Sequence, residues 1–176
     1  TSSSLFEVKL GREKFSGETH AYSVAYADDE IAEVLANSDK IIFNSISQLQ
    51  RFDQISRNHV SGLRINPGVS TSEFSLGEQD PSKIVQVIDQ ISGFMFHNNC
   101  ENTSFERFDA MLCGIEARYG ELLSQVEWIS LGGGIHFTGE NYPLDAFCQR
   151  LKHFSERWGV QVYLEPGEAA ITKSCT

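Results

Sequence analysis

Six short apolar runs, each separated from the next by a segment of helical period, constrain this chain more than any other feature. The runs cover residues 21–24, 40–43, 62–65, 93–96, 126–131 and 160–164, each with the length and side-chain character of a buried strand. Between them, 28–37 places Ile31, Val34 and Leu35 on one face, 47–55 follows a serine N-cap signal, and Pro81 suits the first turn of a helix running to Ile91. The longest helical signal, 103–123, spaces Phe105, Phe108, Leu112, Ile115, Tyr119 and Leu122 three or four positions apart, a continuous core-facing stripe. A last helix at 144–154 carries Phe147, Leu151 and Phe154, and Gly159 supplies its stop. Alternation of strand and helix implies an α/β fold with a parallel sheet, because parallel neighbours need a crossover long enough to hold a helix.

The placement of unusual residues chooses between an open and a closed sheet. Asn44, Asn66, His97, the glycines from Gly132 and the unit Glu165-Pro166-Gly167 each stand at the carboxyl end of a different predicted strand. In a barrel such ends converge on one mouth, whereas in an open doubly wound sheet they spread along an edge. We therefore expect a (β/α) barrel of the TIM type, as one domain over 1–176. Six strands fall short of the eight, in roughly 250 residues, of a complete barrel, so the chain reads as incomplete at both ends.

Composition narrows the partners. Hydrophobic residues at 40% and aromatics at 11% support a packed core, and no apolar run approaches the length of a membrane span. Lys plus Arg is 14 against 24 for Asp plus Glu, a net charge of −10, which argues against nucleic acid and leaves cationic small molecules as partners. Cys100, Cys113, Cys148 and Cys175 form no C-x-x-C pair and no zinc spacing, so neither a disulfide lattice nor a metal is expected, and the compartment reads as the reducing cytoplasm. The opening T-S-S-S-L-F-E-V-K-L lacks the pattern of a secretory signal.

Three motifs carry chemistry. Gly132-Gly133-Gly134 follows a predicted strand, where backbone N–H groups without Cβ atoms in the way can converge on a phosphate; a flexible turn would look the same. Glu165-Pro166-Gly167 closes the next strand and offers a carboxylate with a further backbone donor, the alternative being a Pro-Gly turn with solvated Glu165 and Glu168. Phe96-His97-Asn98-Asn99-Cys100-Glu101-Asn102 gathers an imidazole, amides, a thiol and a carboxylate, and such an imidazole can cover an aromatic cofactor. His20, His59, His136 and His153 have no mutual metal spacing. Cys113 and Cys148 read as core thiols, Asp28-Asp29-Glu30 as a helix N-terminus and Glu7 as part of a solvated face.

Taken in order and spacing, G-L-R-I-N-P-G-V-S at 62–70, F-H-N-N-C-E-N at 96–102, W-I-S-L-G-G-G-I-H-F-T at 128–138 and Y-L-E-P-G-E-A at 163–169 resemble the carboxynorspermidine/carboxyspermidine decarboxylases. These are pyridoxal-phosphate enzymes of the alanine-racemase-like barrel group, and the resemblance covers nearly the whole chain. It implies that His97 stacks on the cofactor ring and that Cys100 takes a neighbouring hydrogen-bonding position. It also implies that Gly132, Gly133, Gly134 and Gly167 hold the phosphate and that Glu165 pairs with the pyridine nitrogen. His97 and Glu165 are then the catalytic residues. Glu168, where ornithine-type relatives have Arg, and Glu101 suit the ammonium groups of a polyamine.

Two departures follow from the resemblance. The family's Schiff-base lysine lies upstream of the region matched by Thr1, and its C-terminal β domain, which completes the partner subunit's site in a homodimer, would begin after about Thr176. These residues alone are therefore expected to release no CO2. Between Ser70 and Gly77 the family has a longer loop, so a missing loop near 74–75 is expected, either a real deletion or a segment of a longer protein left out of this sequence. A non-catalytic polyamine-binding regulator and a barrel taking a phosphorylated substrate without the cofactor remain alternatives. The two carboxylated triamines differ by one methylene, worth only ~1 to 3 kcal/mol in a pocket.

Overall fold

The computed structural model describes residues 1–67, 80–97 and 101–167. They fall into two compact units, the first holding 1–65 and 80–95, the second 66–67, 96–97 and 101–167 of those residues.

The first unit runs α1 (Leu5–Lys14), β1 (His20–Tyr22), α2 (Ile31–Asn37), β2 (Lys40–Phe43), α3 (Ile46–Ser56), β3 (Val60–Arg64), α4 (Pro81–Val85), a 3-10 turn (Ile88–Gln90) and β4 (Gly93–Met95). Its strands pair in parallel and in chain order, with His20 opposite Lys40, Lys40 opposite Val60 and Gly62 opposite Gly93. Every residue of β2 is buried, as a strand covered on both faces requires. Phe43 meets Tyr26 edge-on and stacks with Phe52 of α3, which joins strand and helix in one core.

Capping explains where the helices begin. Ser45 accepts the Gln48 N–H at 3.2 Å, and the Gln48 side chain reaches back to the Asn44 N–H at 3.0 Å. Asp80 caps α4 through the Ser82 N–H, and Pro81 takes the first turn as expected. The helix nevertheless ends at Val85, and Ile88–Gln90 forms a separate turn rather than a continuation to Ile91. The β-branched run Ile84, Val85, Val87 and Ile88 is a poor helix former, and Val87 leaves the helical region.

Helix α1 was not expected. It buries only Val8, so it leaves no apolar period to read. Its signal is the capping pair Ser4-x-x-Glu7: Ser4 accepts the Glu7 N–H, and the Glu7 carboxylate accepts the Ser3 N–H at 2.7 Å. Glu7 is exposed, yet it works as a cap rather than as plain solvated surface, and these hydrogen bonds hold its pKa below the usual value.

Burial, aided by the Lys40 ammonium, lowers the pKa of His20, outweighing the pull of the Glu18 carboxylate 3.0 Å from Nε2. Folding therefore favours the neutral imidazole, and the unfolded chain binds more protons once the pH falls below about 6.5. Stability is expected to drop as pH decreases through that region. Denaturant midpoints recorded on either side of it should show the drop, and His20→Gln should flatten it.

The second unit contains α5 (Phe105–Leu123), β5 (Trp128–Ser130), α6 (Leu144–Trp158) and β6 (Gln161–Tyr163). Strands β5 and β6 are parallel, with Ser130 opposite Tyr163. The predicted stripe on α5 is buried at Phe108, Leu112, Ile115, Tyr119 and Leu122, joined by Met111 and Leu123, while Ser104 caps the helix through the Arg107 N–H. Helix α6 continues past 154 to Trp158 and stops at Gly159, whose φ of 69° is left-handed. Arg150 ties the two helices by bonding Asp109 and Glu116, each at 2.5 Å, and the Trp158 ring occupies the space a Cβ on Gly120 would need.

Cys113 and Cys148, expected in the core, are exposed. Each stands one residue beyond a core position, Leu112 and Phe147 respectively, and one residue is a rotation of about 100° around a helix. No described helix is long and apolar enough to cross a membrane.

Candidate functional site

Strand β5 ends at Ser130 and β6 at Tyr163, and the segments leaving them continue side by side. Leu131 N–H donates to the Tyr163 carbonyl, and Glu165 N–H donates to the Gly132 carbonyl, both at 2.9 Å. This register brings the predicted glycine and Glu-Pro-Gly motifs together although some thirty residues separate them in sequence.

The glycines let two neighbours come unusually close. A Cβ at Gly132 would lie 2.5 Å from His97 Nδ1 and 3.1 Å from His97 Cα; one at Gly133 would lie 2.4 Å from the Glu165 carbonyl oxygen. Gly132 therefore seats the imidazole, and Gly133 seats the backbone that carries the carboxylate. Gly132 and Gly134 have φ values of 67° and 83°, left-handed geometry that favours glycine. Any side chain larger than hydrogen at 132 or 133 collides with His97 or with the Glu165 backbone.

One oxygen of Glu165, Oε1, accepts a hydrogen bond from Ser130 Oγ at 2.7 Å, and that oxygen accepts the Gly132 N–H at 3.2 Å. Ser130 is completely buried. Sequence reasoning gave it no role; the available signal was a hydroxyl closing an apolar strand two positions before the first glycine. Gly167 has open space where its Cβ would be, and its N–H donates to the Glu165 carbonyl at 2.9 Å.

The segment after His97 is clipped to the glycine loop. Asn102 N–H donates to the Gly134 carbonyl, and the Asn102 carbonyl accepts the His136 N–H, both at 2.9 Å, while Asn102 Oδ1 accepts the Ser104 N–H that opens α5. Glu101, next to this clip, is exposed and has a φ of 56°, uncommon for a residue with a side chain. Cys100 and Glu168 lie outside the described residues, as do Asn98, Asn99 and Cys175.

The first unit carries a polar cluster at its own strand ends that sequence reasoning missed in part. Arg64, at the end of β3, donates from Nη1 to the Tyr22 hydroxyl and lies over the Tyr22 ring at 5.3 Å; Tyr22 in turn donates to Asn44 Oδ1 at 3.2 Å. Arg64 is buried, and its Nε has no hydrogen-bond partner. A guanidinium in that state calls for an acceptor or an anion. Its signal in sequence was a charge inside the apolar run G-L-R-I-N-P. Asn66, also singled out at a strand end, is buried in the second unit and accepts the Tyr119 hydroxyl on its backbone carbonyl.

Among the described residues no group of His, Cys, Asp and Glu is placed to hold a metal ion. What the second unit does offer is a glycine loop, an imidazole set against it, and a carboxylate with one oxygen already bonded. That donor set fits a flat cationic ring bearing a phosphate.

No protein-family model matches the chain. It is 59% identical, over all of its length and 51% of the relative's, to a carboxynorspermidine/carboxyspermidine decarboxylase of Herminiimonas arsenicoxydans. A protein of the same description from Campylobacter jejuni subsp. jejuni serotype O:6 is 34% identical over 96% of the chain and 47% of its own length. Among solved structures, carboxynorspermidine decarboxylase complexed with norspermidine, from Campylobacter jejuni, superposes with a TM-score of 0.87 at 36% identity, covering 95% of this chain and 45% of that one. The chain thus spans about half the length of the curated relatives it matches. The alignment with the Herminiimonas protein runs over 186 positions against 176 residues here, so at least ten positions of that relative have no counterpart in this chain.

Proposed function

We propose that this chain, a relative of the carboxynorspermidine/carboxyspermidine decarboxylases along its whole length, is the barrel portion of such a decarboxylase, one that converts carboxynorspermidine or carboxyspermidine to norspermidine or spermidine in polyamine biosynthesis. The observation that carries the reading is the seating of His97 and Glu165 on two adjacent glycines at neighbouring strand ends. It is the arrangement that a ring cofactor bearing a phosphate requires.

Pyridoxal phosphate, when bound, supplies the sink for the electron pair left on Cα as CO2 departs. The chain's own residues do the rest of the work assigned here. Glu165 keeps a proton on the pyridine nitrogen by standing opposite it as an anion. His97, its position fixed by Gly132, covers the ring face and keeps water from it. Gly133 and Gly134 present backbone donors to the phosphate, the Gly132 and Gly167 N–H groups being taken by Ser130 Oγ and the Glu165 carbonyl, and Cys100 adds a hydrogen bond nearby. Glu101 and Glu168 take the ammonium groups of the triamine, since a cation partly removed from water needs a charged partner.

Two further contributions come from outside these residues: the Schiff-base lysine and a C-terminal domain whose side chains complete the site of the partner subunit in a homodimer. The shortfall against the Herminiimonas relative fits a deletion near 74–75, and the cytoplasm is the compartment we assign.

The test is the visible absorption spectrum of the full-length gene product purified with pyridoxal phosphate, before and after borohydride. A borohydride-sensitive band is expected. A folded protein with no band would overturn the reading and leave a non-catalytic polyamine-binding relative in its place.

A further inference from the structure

We propose that Ser130 is a positioning residue for Glu165: it fixes the carboxylate by one oxygen, Oε1, and leaves the other, Oε2, to the ligand. This rests on the decarboxylase reading and deepens it. Ser130 is the last residue of β5, opposite Tyr163, and is completely buried, so its side chain has no solvent to turn to.

The hydroxyl has two neighbours of opposite kind. The Gly132 N–H, 3.2 Å away, can only donate; Glu165 Oε1, 2.7 Å away, is the acceptor. A serine hydroxyl carries a single proton. With an amide hydrogen already directed at the oxygen, that proton goes to the carboxylate, and the chain of bonds runs from amide to hydroxyl to carboxylate. Among the described residues Oγ has no other partner.

The donor–acceptor distance of 2.7 Å is that of a well-formed O–H···O hydrogen bond, which fixes the rotation of the carboxylate. The backbone on the other side is equally fixed, because Glu165 N–H is held by the Gly132 carbonyl at 2.9 Å. Gly132 therefore grips Glu165 twice, once directly and once through Ser130. A carboxylate that must face a ring nitrogen gains from a donor that fixes its other oxygen, and Ser130 is that donor.

The experiment uses the full-length gene product with pyridoxal phosphate and the variants Ser130→Ala, Ser130→Thr and Ser130→Cys. Turnover and KM are measured across pH, together with the pH titration of the cofactor's visible band and the thermal midpoint. Ser130→Ala is expected to lower kcat about ten- to a hundred-fold, the scale of a lost hydrogen bond to a charged group, with little change in KM. It should also change the pH titration of the cofactor's visible band, because the carboxylate is no longer held in place opposite the ring nitrogen. Ser130→Thr should restore most of both, and Ser130→Cys, a weaker donor of similar shape, should fall between and serves if the alanine variant does not fold. A lowered thermal midpoint with kcat and the band titration unmoved would overturn the proposal. A wild-type protein with no cofactor band would overturn the reading on which it rests.

Discussion

Glu165→Gln in the full-length gene product is expected to lower kcat by about 10² to 10³-fold, the loss typical when one preorganised electrostatic partner is removed from a reacting centre. The substitution is nearly isosteric. Glutamine keeps an oxygen for the Ser130 hydroxyl, and the backbone of residue 165 stays held by the Gly132 carbonyl and by the Gly167 N–H, both at 2.9 Å. What disappears is the negative charge, and with it the proton on the ring nitrogen. The thermal midpoint should therefore stay close to wild type while CO2 release at saturating triamine collapses. Activity within a few-fold of wild type would remove Glu165 from the role assigned to it.

Gly133→Ala is expected to be as damaging for a different reason. The new methyl would stand 2.4 Å from the Glu165 carbonyl oxygen, a backbone atom that cannot rotate aside. Reaching ordinary contact requires a shift of roughly 1 Å, and a misplacement of that size can cost about 10²-fold in rate. Overpacking of this kind also destabilises by about 1–3 kcal/mol. The variant should bind pyridoxal phosphate about a hundred-fold more weakly, read by titrating cofactor fluorescence, and should melt earlier. Gly167→Ala is the internal comparison: its Cβ meets nothing within 4 Å, so that variant should melt like wild type. Equal behaviour of the two alanine variants would mean that the close approach at Gly133 has no functional weight.

Much of the fold was legible because parallel strands buried on both faces leave uninterrupted apolar runs, and those runs located β2, β3, β4, β5 and β6 to within a few residues. The stripe on α5 was readable for the same reason: its residues face one core. Helix α1 was not, since it buries a single residue and is set by caps. The exposed Cys113 and Cys148 show the limit of inferring burial from helical membership alone, because adjacent helical residues face different directions.

The site was legible where a residue type is conspicuous at a strand end, as with His97, the glycines and Glu165. Ser130 was not, because a serine closing a strand is ordinary until the pairing of β5 with β6 shows that it meets a carboxylate 35 positions away. Glycine at 132 and 133 was expected from the needs of a phosphate. The fold supplies a second requirement, the approach of His97 and of the Glu165 backbone, which only tertiary packing reveals.

Gly132 has a consequence for how such a sequence can change over time. Its N–H is taken by Ser130, its carbonyl by Glu165, and the space of its missing side chain by His97. Each of these neighbours is adjusted to a feature of the same residue. Substitutions at the four positions should therefore not behave as independent steps: an altered imidazole leaves a void over the glycine, an altered serine frees the carboxylate, and an altered glycine disturbs all three. The quartet is a single heritable unit, open to concerted replacement and nearly closed to gradual drift.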